Sequence, residues 1–527
     1  MLIALLLGGR YNAPRKRILR QIMTFEQLLA VVSDSWRSGT ARIRTDSRCV
    51  QAGDIFVAVK GSTCNGHDFV NDAVAAGAVY VVCERAYSSS VCALTNIPHK
   101  KSCEIIFVDN SALAAATLAQ AARGNPAKQL TNLAVTGTNG KTTVAFLVRS
   151  VIKNAGQRCG LIGTVMYDTG MAVFDAPLTT PDCLTIADMT EKMVQSGCKY
   201  MVAEASSHAI DQDRLAGIDF HSAAFTNLAG DHLDYHKTKA EYFTAKSKLF
   251  RQLSADAAAV LNKQCPYARK AAEQTAAKIL WYGIDAHADL CAHIEKTDLT
   301  STVFVLEYAG RSCQVKTSLP GRYNVSNCLA AAGLCIAAGF DLETVAAGLS
   351  AVETIPGRLE KLDCDGVHVF VDYAHTDDAL KNVLSTLRPL CKGRLIVVFG
   401  CGGDRDRTKR PRMAKVAEEL ADFIVVTSDN PRSENPEDII NEIVAGFAQV
   451  TGHGSRATSV MVEPDREKAI KLAIENVSEK DIVLIAGKGH ETCQIIGNHR
   501  EHFSDKETAL KYLQKPTKTQ RTVTNSR

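Results

Sequence analysis

Seven consecutive residues, Gly137-Thr138-Asn139-Gly140-Lys141-Thr142-Thr143, have the types and order needed to hold a chain of phosphates. Asn132 to Thr136 before them reads as a strand. After them Val144, Leu147, Val148, Val151 and Ile152 recur at helical spacing until Gly156 ends the run. Strand, glycine loop and helix N-terminus together make an anion cradle, in which backbone N–H groups face the ligand and the helix dipole favours negative charge. Lys141 would neutralise β- and γ-phosphates, and the Thr142 hydroxyl would ligate Mg²⁺. The general P-loop spacing requires a glycine at position 135, where this chain has Val135, so the loop is a shorter variant.

Other candidates lie downstream. Glu204 and His232 are reasonable Mg²⁺ ligands, although Mg²⁺ generally prefers oxygen. His232 and His236 could also be read as an i, i+4 zinc pair, but no H-E-x-x-H accompanies them, and Asp231 to His236 could equally be a polar helix start. Lys246, beside Lys248, reads in isolation as a solvated surface charge. Nearer the end, three apolar runs (Leu395–Phe399, Phe423–Thr427 and Asp481–Ala486) each lead into a polar loop: Gly400 to Arg405, Ser428 to Arg432, and Gly487 to Glu491. Ligands of open α/β sheets bind beyond the carboxyl ends of strands, where such loops converge. An amino-acid zwitterion needs cations for its carboxylate, available from Arg405 and Arg432, and an anion for its ammonium, available from Glu491.

The elements that must position these residues form three blocks in a chain of 527 residues, too long for one core. Residues 23–128 alternate short apolar runs (54–59, 79–82) with Ala-rich helical stretches. Residues 129–355 open with the phosphate loop, and residues 356–514 hold the three buried strands. Strands alternating with helices predict parallel α/β sheets. Thr24-Phe25-Glu26-Gln27 predicts a capping box that opens the first helix, which makes residues 1–22 an extension or a misplaced start. Residues 515–527 are polar and aperiodic, as in a disordered tail. The composition, 46% hydrophobic and 22% charged with a net charge of +4, gives no reason to expect nucleic acid or membrane as a partner. No apolar stretch approaches a membrane span. The seventeen cysteines include no C-x-x-C, which argues against zinc ribbons and thioredoxin-like redox work and suits reduced thiols in cytosol.

The short loop G-T-N-G-K-T-T resembles that of the Mur ligases and their relatives, the folylpolyglutamate synthases. Further matches follow in family order: Glu204-Ala205-Ser206-Ser207-His208, then Thr226-Asn227-Leu228 with Asp231-His232-Leu233-Asp234-Tyr235-His236, and Ala245-Lys246. Asn324-Val325-Ser326-Asn327, Pro356-Gly357-Arg358 and Asp372-Tyr373-Ala374-His375 complete the set. The resemblance covers most of the chain. It implies three α/β domains: a smaller N-terminal UDP-binding domain, a central P-loop-type parallel-sheet ATP-binding domain, and a C-terminal Rossmann-like domain that binds an amino acid. It also implies a cytoplasmic, monomeric, ATP- and Mg²⁺-dependent ligase of peptidoglycan synthesis. Such an enzyme makes an acyl phosphate, so cations must offset the repulsion of two anions.

Residue by residue, the resemblance assigns catalysis to Lys141, Glu204, His232 and a carbamylated Lys246, whose modification needs a neutral amine and so a depressed pKa. Thr142, Glu204, His232 and Lys246 would serve the metal. Gly137 to Thr143, Asn324, Arg358, Asp372 and His375 would surround ATP. Asp46-Ser47-Arg48, Gly53-Asp54-Ile55-Phe56 and Gly61-Ser62…Gly66 resemble the uridine-binding part of the tripeptide-forming members. Ser47, Ser62, Thr63, Cys64, Thr179, Thr180, Ser206, Gln212 and Arg214 would therefore contact UDP-MurNAc-L-Ala-D-Glu. Taken without the family, Asp46-Ser47-Arg48 is a turn signal and Gln212 and Arg214 an exposed helix face. Asp429-Asn430-Pro431-Arg432 matches the D-N-P-R motif of members that add meso-diaminopimelate, so Arg405, Asp429, Asn430, Pro431, Arg432, Gly487 and Glu491 would hold that amino acid. The alternatives are L-lysine as the amino acid, a folylpolyglutamate-type ligase, and a P-loop ATPase that switches a partner.

Overall fold

The computed structural model describes residues 23–36, 42–61, 64–94, 103–364, 367–447 and 459–514. The extension expected at 1–22, the tail at 515–527, and Ser62 and Thr63 lie outside the described residues. The chain divides into two compact units, Met1–Gly124 and Asn125–Arg527.

The first unit begins as its capping box predicts. The Thr24 hydroxyl accepts from Gln27 N at 3.2 Å, and the Gln27 side chain accepts from Thr24 N at 2.8 Å, opening the helix Phe25–Ser35. The apolar runs become strands. Ile43–Arg44, Ile55–Val57, Tyr80–Glu84 and Glu104–Val108 lie side by side, all parallel. Phe56, Val81 and Cys83 bury one face of that sheet with Val70 and Ala73 of the helix Val70–Ala75.

In the second unit the strand Thr131–Thr136 lies near the middle of an eleven-stranded sheet, hydrogen-bonded to Tyr200–Glu204 on one side and Phe220–Phe225 on the other. Only the middle of this sheet is parallel. A meander (Leu290–Thr297, Thr302–Tyr308, Arg311–Thr317) closes one edge antiparallel, and a hairpin (Met166–Asp168, Val173–Asp175) closes the other. Helix Lys141–Asn154 packs on one face with Arg322–Ala337 and Leu342–Ser350. Helices Cys183–Gln195 and Lys239–Arg251 cover the other.

A six-stranded sheet follows, in the spatial order Glu360–Cys364, Val367–Asp372, Ile482–Ala486, Leu395–Phe399, Phe423–Val426, Ser459–Val462. The sequence marks three strands here and the sheet has six. Val367–Asp372 is a buried parallel strand that the apolar runs do not reveal, and Ser459–Val462 is an exposed edge. The parallel strands run in one direction, so the loops after Asp372, Phe399, Val426 and Ala486 gather at one end. Among the described residues no helix is long and apolar enough to cross a membrane.

Candidate functional site

The phosphate loop is held in shape from outside. Asn227 clamps it, its O accepting from Thr138 N at 2.9 Å and its Oδ1 from Asn139 N at 3.0 Å. Thr226 Oγ1 donates to Asn139 O at 2.7 Å. Gly137 (φ 144°) and Gly140 (φ 90°) have left-handed backbones, and any Cβ there would run into Thr226 and Asn327. Helix Lys141–Asn154 starts directly at Gly140, so its free N–H groups point into the loop. Lys141 folds back onto the loop, donating to Gly137 O at 3.0 Å and Thr138 O at 2.9 Å. Burial lowers its pKa, and the nearby Glu204 and Asp231 oppose that shift.

Glu204, at the end of its strand, is fully buried. Its Oε2 accepts from the Thr142 hydroxyl at 3.0 Å and its Oε1 from Thr164 N at 2.8 Å. Arg358, from the other sheet, donates to Thr142 Oγ1 at 2.9 Å and lies 4.5 Å over the Tyr373 ring. Asn139 reaches Asp378 Oδ2 at 2.8 Å. One cleft between the two sheets is lined by Thr138 to Thr143, Glu204, His232, Asn324, Arg358, Asp372 and His375, together with Thr179. The structure thus brings together nearly every residue expected around nucleotide and metal. Asp372 fixes the cleft wall by accepting from Leu359 N at 2.6 Å and Ala374 N at 2.8 Å, and burial raises its pKa to about 6.

His232 has a left-handed backbone (φ 54°), and desolvation keeps its imidazole neutral against the pull of Asp231. Lys246 is not a surface charge. It is 1% exposed, donates to Gly137 O at 2.8 Å from beneath the loop, and lies 4.5 Å from the centre of the Tyr242 ring. Desolvation first, then the Lys141 charge, lower its pKa well below that of an ordinary lysine. Among the described residues no three histidine, cysteine or carboxylate side chains form a ready metal cage. Mg²⁺ does not require one, since it keeps several waters and takes one or two protein oxygens plus substrate phosphates. The touching Thr142 hydroxyl and Glu204 carboxylate at the helix N-terminus fit that donor set.

Thr180, Ser206, Gln212 and Arg214 form one network beside Glu204. Thr180 Oγ1 donates to Glu204 O at 2.6 Å, Ser206 N donates to Thr180 Oγ1 at 3.2 Å, and Arg214 donates to Thr180 O at 2.9 Å and Gln212 Oε1 at 2.7 Å. Gln212 and Arg214 are therefore half-buried and not an exposed helix face. In the first unit, Ser47 opens a tight turn capped by Asp46. Cys64 is exposed, and Gly61 N donates to Cys64 O at 2.9 Å. His67 supports that loop by accepting from Glu84 N at 2.9 Å and stacking on Tyr87.

The three expected loops of the last sheet do converge. Gly403 N donates to Asn430 O at 2.9 Å, and Arg432 Nη1 donates to Gly403 O at 2.7 Å. Arg432 sits in the left-handed region (φ 52°), fixed by its N–H on Ile495 O at 3.0 Å. Burial, followed by the like charge of Arg405, lowers its pKa. Glu491 is not a free anion: its Oε2 accepts from Asn430 Nδ2 at 2.8 Å and Lys488 Nζ at 3.2 Å. Sequence reasoning missed Lys488, Thr164 and Arg466. Lys488 lies inside the G-K-G-H-E loop that was recognised, so its position was visible and its burial was not. Arg466 is completely buried against Asp505 and donates to Ser428 O and Ala486 O, fastening two of the loops from behind. His490 joins this region to the nucleotide cleft, its Nε2 lying 3.2 Å from Thr164 O.

Three family models match the chain: a Mur ligase family catalytic domain over residues 40–133, a Mur ligase middle domain over 135–335, and a Mur ligase glutamate ligase domain over 357–489. The chain is 43% identical over 475 residues to the UDP-N-acetylmuramoyl-L-alanyl-D-glutamate--2,6-diaminopimelate ligase of Geobacillus kaustophilus, covering 89% of this chain and 93% of that protein. A solved structure of a ligase with that same name is 33% identical, with a TM-score of 0.62, and the match covers 90% of this chain and 94% of that one. The MurF ligase of Thermotoga maritima, solved in complex with ADP, shares the fold at 20% identity and a TM-score of 0.59, over 90% of this chain and 97% of that one.

Proposed function

The chain belongs to the Mur ligase family, and on that premise we propose that it joins meso-diaminopimelate to the D-glutamyl carboxyl of UDP-MurNAc-L-Ala-D-Glu, with ATP converted to ADP and phosphate. The observation that carries this reading is a single cleft in which Lys141, Thr142, Glu204 and Arg358 converge, connected through His490 and Thr164 to the loops bearing Arg405 and Arg432. We also propose that it acts as a monomer in the cytoplasm.

The D-glutamyl carboxylate oxygen attacks the γ-phosphorus. That bond forms as the bond to the β-phosphate oxygen breaks, leaving ADP. The uncapped N–H groups of the first helical turn from Lys141, with the side chains of Lys141 and Arg358, offset the negative charge that these anions bring together. Thr142, Glu204 and His232 would hold Mg²⁺, which would add further charge neutralisation on the phosphates. Lys246, whose pKa burial lowers, is suited to take up CO₂ as a carbamate with loss of a proton, and would then supply an oxygen anion for the metal. Ser47, Ser62, Thr63 and Cys64 hold the uridine diphosphate, while Thr179, Thr180, Ser206, Gln212 and Arg214 hold the muramyl dipeptide. Arg405, Asp429, Asn430, Pro431, Arg432, Gly487 and Glu491 orient diaminopimelate, whose amine nitrogen attacks the acyl carbon. The tetrahedral adduct expels phosphate, the nitrogen loses a proton, and the amide remains. Phosphate release assayed with each amino acid, with and without UDP-MurNAc-L-Ala-D-Glu, tests the reading. Release that ignores the muramyl nucleotide would point instead to an ATPase switch.

A further inference from the structure

Asn430 lies among the loops read here as the amino-acid site, and an asparagine amide there can present either oxygen or N–H to a ligand, depending on which way it is turned. In this chain the choice is already made. Asn430 Oδ1 accepts from Lys488 Nζ at 3.0 Å and from Ile495 N at 3.0 Å. The amide nitrogen then donates to Glu491 Oε2 at 2.8 Å, and the same carboxylate oxygen accepts from Lys488 at 3.2 Å. Turning the amide over would set its NH₂ against an ammonium and a backbone N–H, leaving three donors without an acceptor. Lys488 is completely buried and Asn430 is 4% exposed, so water cannot relieve that conflict. A lysine this deep is costly to bury unless its charge is matched, and here Glu491 matches it.

We propose that Lys488 is a specificity-determining positioning residue. By holding the Asn430 carbonyl inward it keeps the amide N–H side, together with the Arg432 guanidinium, turned to the amino acid. The amide N–H and the guanidinium are donors for a distal carboxylate, which meso-diaminopimelate has and L-lysine lacks, while both amino acids carry the distal ammonium. Lys488 touches no substrate and acts through Asn430 and Glu491. The inference deepens the amino-acid reading given above and rests on it.

The test compares the full-length wild type with Lys488→Met, which keeps chain length without charge, and Asn430→Asp, which keeps an oxygen for Lys488 and Ile495 but has no N–H. kcat/KM is measured for meso-diaminopimelate and for L-lysine, with ATP and UDP-MurNAc-L-Ala-D-Glu saturating. Both variants should lower the diaminopimelate-to-lysine ratio by roughly 10- to 100-fold, with the loss falling on KM for diaminopimelate. A wild type that does not favour diaminopimelate would sink the underlying reading itself. An unchanged ratio in folded Lys488→Met, or an equal fall for both amino acids, overturns the inference and leaves Lys488 a structural residue. Should Lys488→Met fail to fold, Asn430→Asp decides alone, and an unchanged ratio there overturns it as well.

Discussion

Lys246 offers the sharpest test of the catalytic reading, because two substitutions separate its packing from its chemistry. Its Nζ donates to Gly137 O at 2.8 Å beneath the phosphate loop, and its stem is almost fully enclosed. Lys246→Met fills the same space and removes one of two donors to Gly137 O, which keeps Lys141, a loss of about 0.5–1.5 kcal/mol in stability. Lys246→Ala adds a cavity and should cost more, within the ~2–5 kcal/mol seen when long buried side chains are cut to alanine. If the residue acts only through packing, turnover of either folded variant should stay near wild type. If it supplies a carbamate anion, both should lose about 10²–10³-fold in kcat, the usual effect of removing one preorganised charge-stabilising group. Phosphate release at saturating substrates and Mg²⁺ measures this. Millimolar acetate or propionate should partly restore Lys246→Ala, which leaves room for a carboxylate, but not Lys246→Met, which fills it. The pH dependence has a definite sign. The folded-state pKa is lowered, so the unfolded chain binds more protons between that value and about 10.4, and stability should rise with pH across this window. In Lys246→Met that rise should be flattened. Near wild-type turnover in both variants would refute the assignment.

Lys141→Ala should abolish acyl-phosphate formation while UDP-MurNAc-L-Ala-D-Glu still binds; calorimetry showing equal loss of both nucleotides would contradict this division. Arg432→Ala should lose diaminopimelate mainly through KM, by roughly 100-fold, since charge-assisted hydrogen bonds contribute about 1.5–3 kcal/mol each and 1.4 kcal/mol is tenfold. Steady-state kinetics with both amino acids would show it, and unchanged diaminopimelate kinetics would exclude the role. Arg466→Met should destabilise by about 3–5 kcal/mol by stranding Asp505, with much of that recovered in Arg466→Met/Asp505→Leu. Urea unfolding of the single and double variants decides, and equal losses in both would rule out the ion pair as the cause.

The phosphate loop was legible because its signals are local: a strand pattern, two glycines with special backbones, and a helix that begins at Lys141. The same holds for Thr24 and Gln27, whose reciprocal bonds span three residues. Val367–Asp372 was not legible, although it carries Asp372 into the cleft. His368 interrupts its apolar run, and its burial comes from pairing with Ile482–Ala486, more than a hundred positions away. The antiparallel edges of the central sheet escaped for the same reason, since strand order is a property of distant pairings. Lys246 and Lys488 show the limit most sharply. Each stands in a polar stretch that suggests solvent, and each is buried by elements that local sequence does not mention. Recognising the family supplied a role for Lys246; nothing in the sequence singled out Lys488.

The bonds that close the nucleotide cleft have a consequence for the order of synthesis. Asn139 meets Asp378 across 239 positions, Thr142 meets Arg358 across 216, and Thr164 meets His490 across 326. A nascent chain that has emerged only as far as residue 350 already carries the whole phosphate loop, with Glu204, His232 and Lys246. It lacks Arg358, Asp372 and His375, which form the opposite wall. Tight nucleotide capture is thereby deferred until the last third of the polypeptide has left the ribosome and folded. An incomplete product released early would have Lys141, Glu204 and Lys246 but not the opposite wall of the cleft.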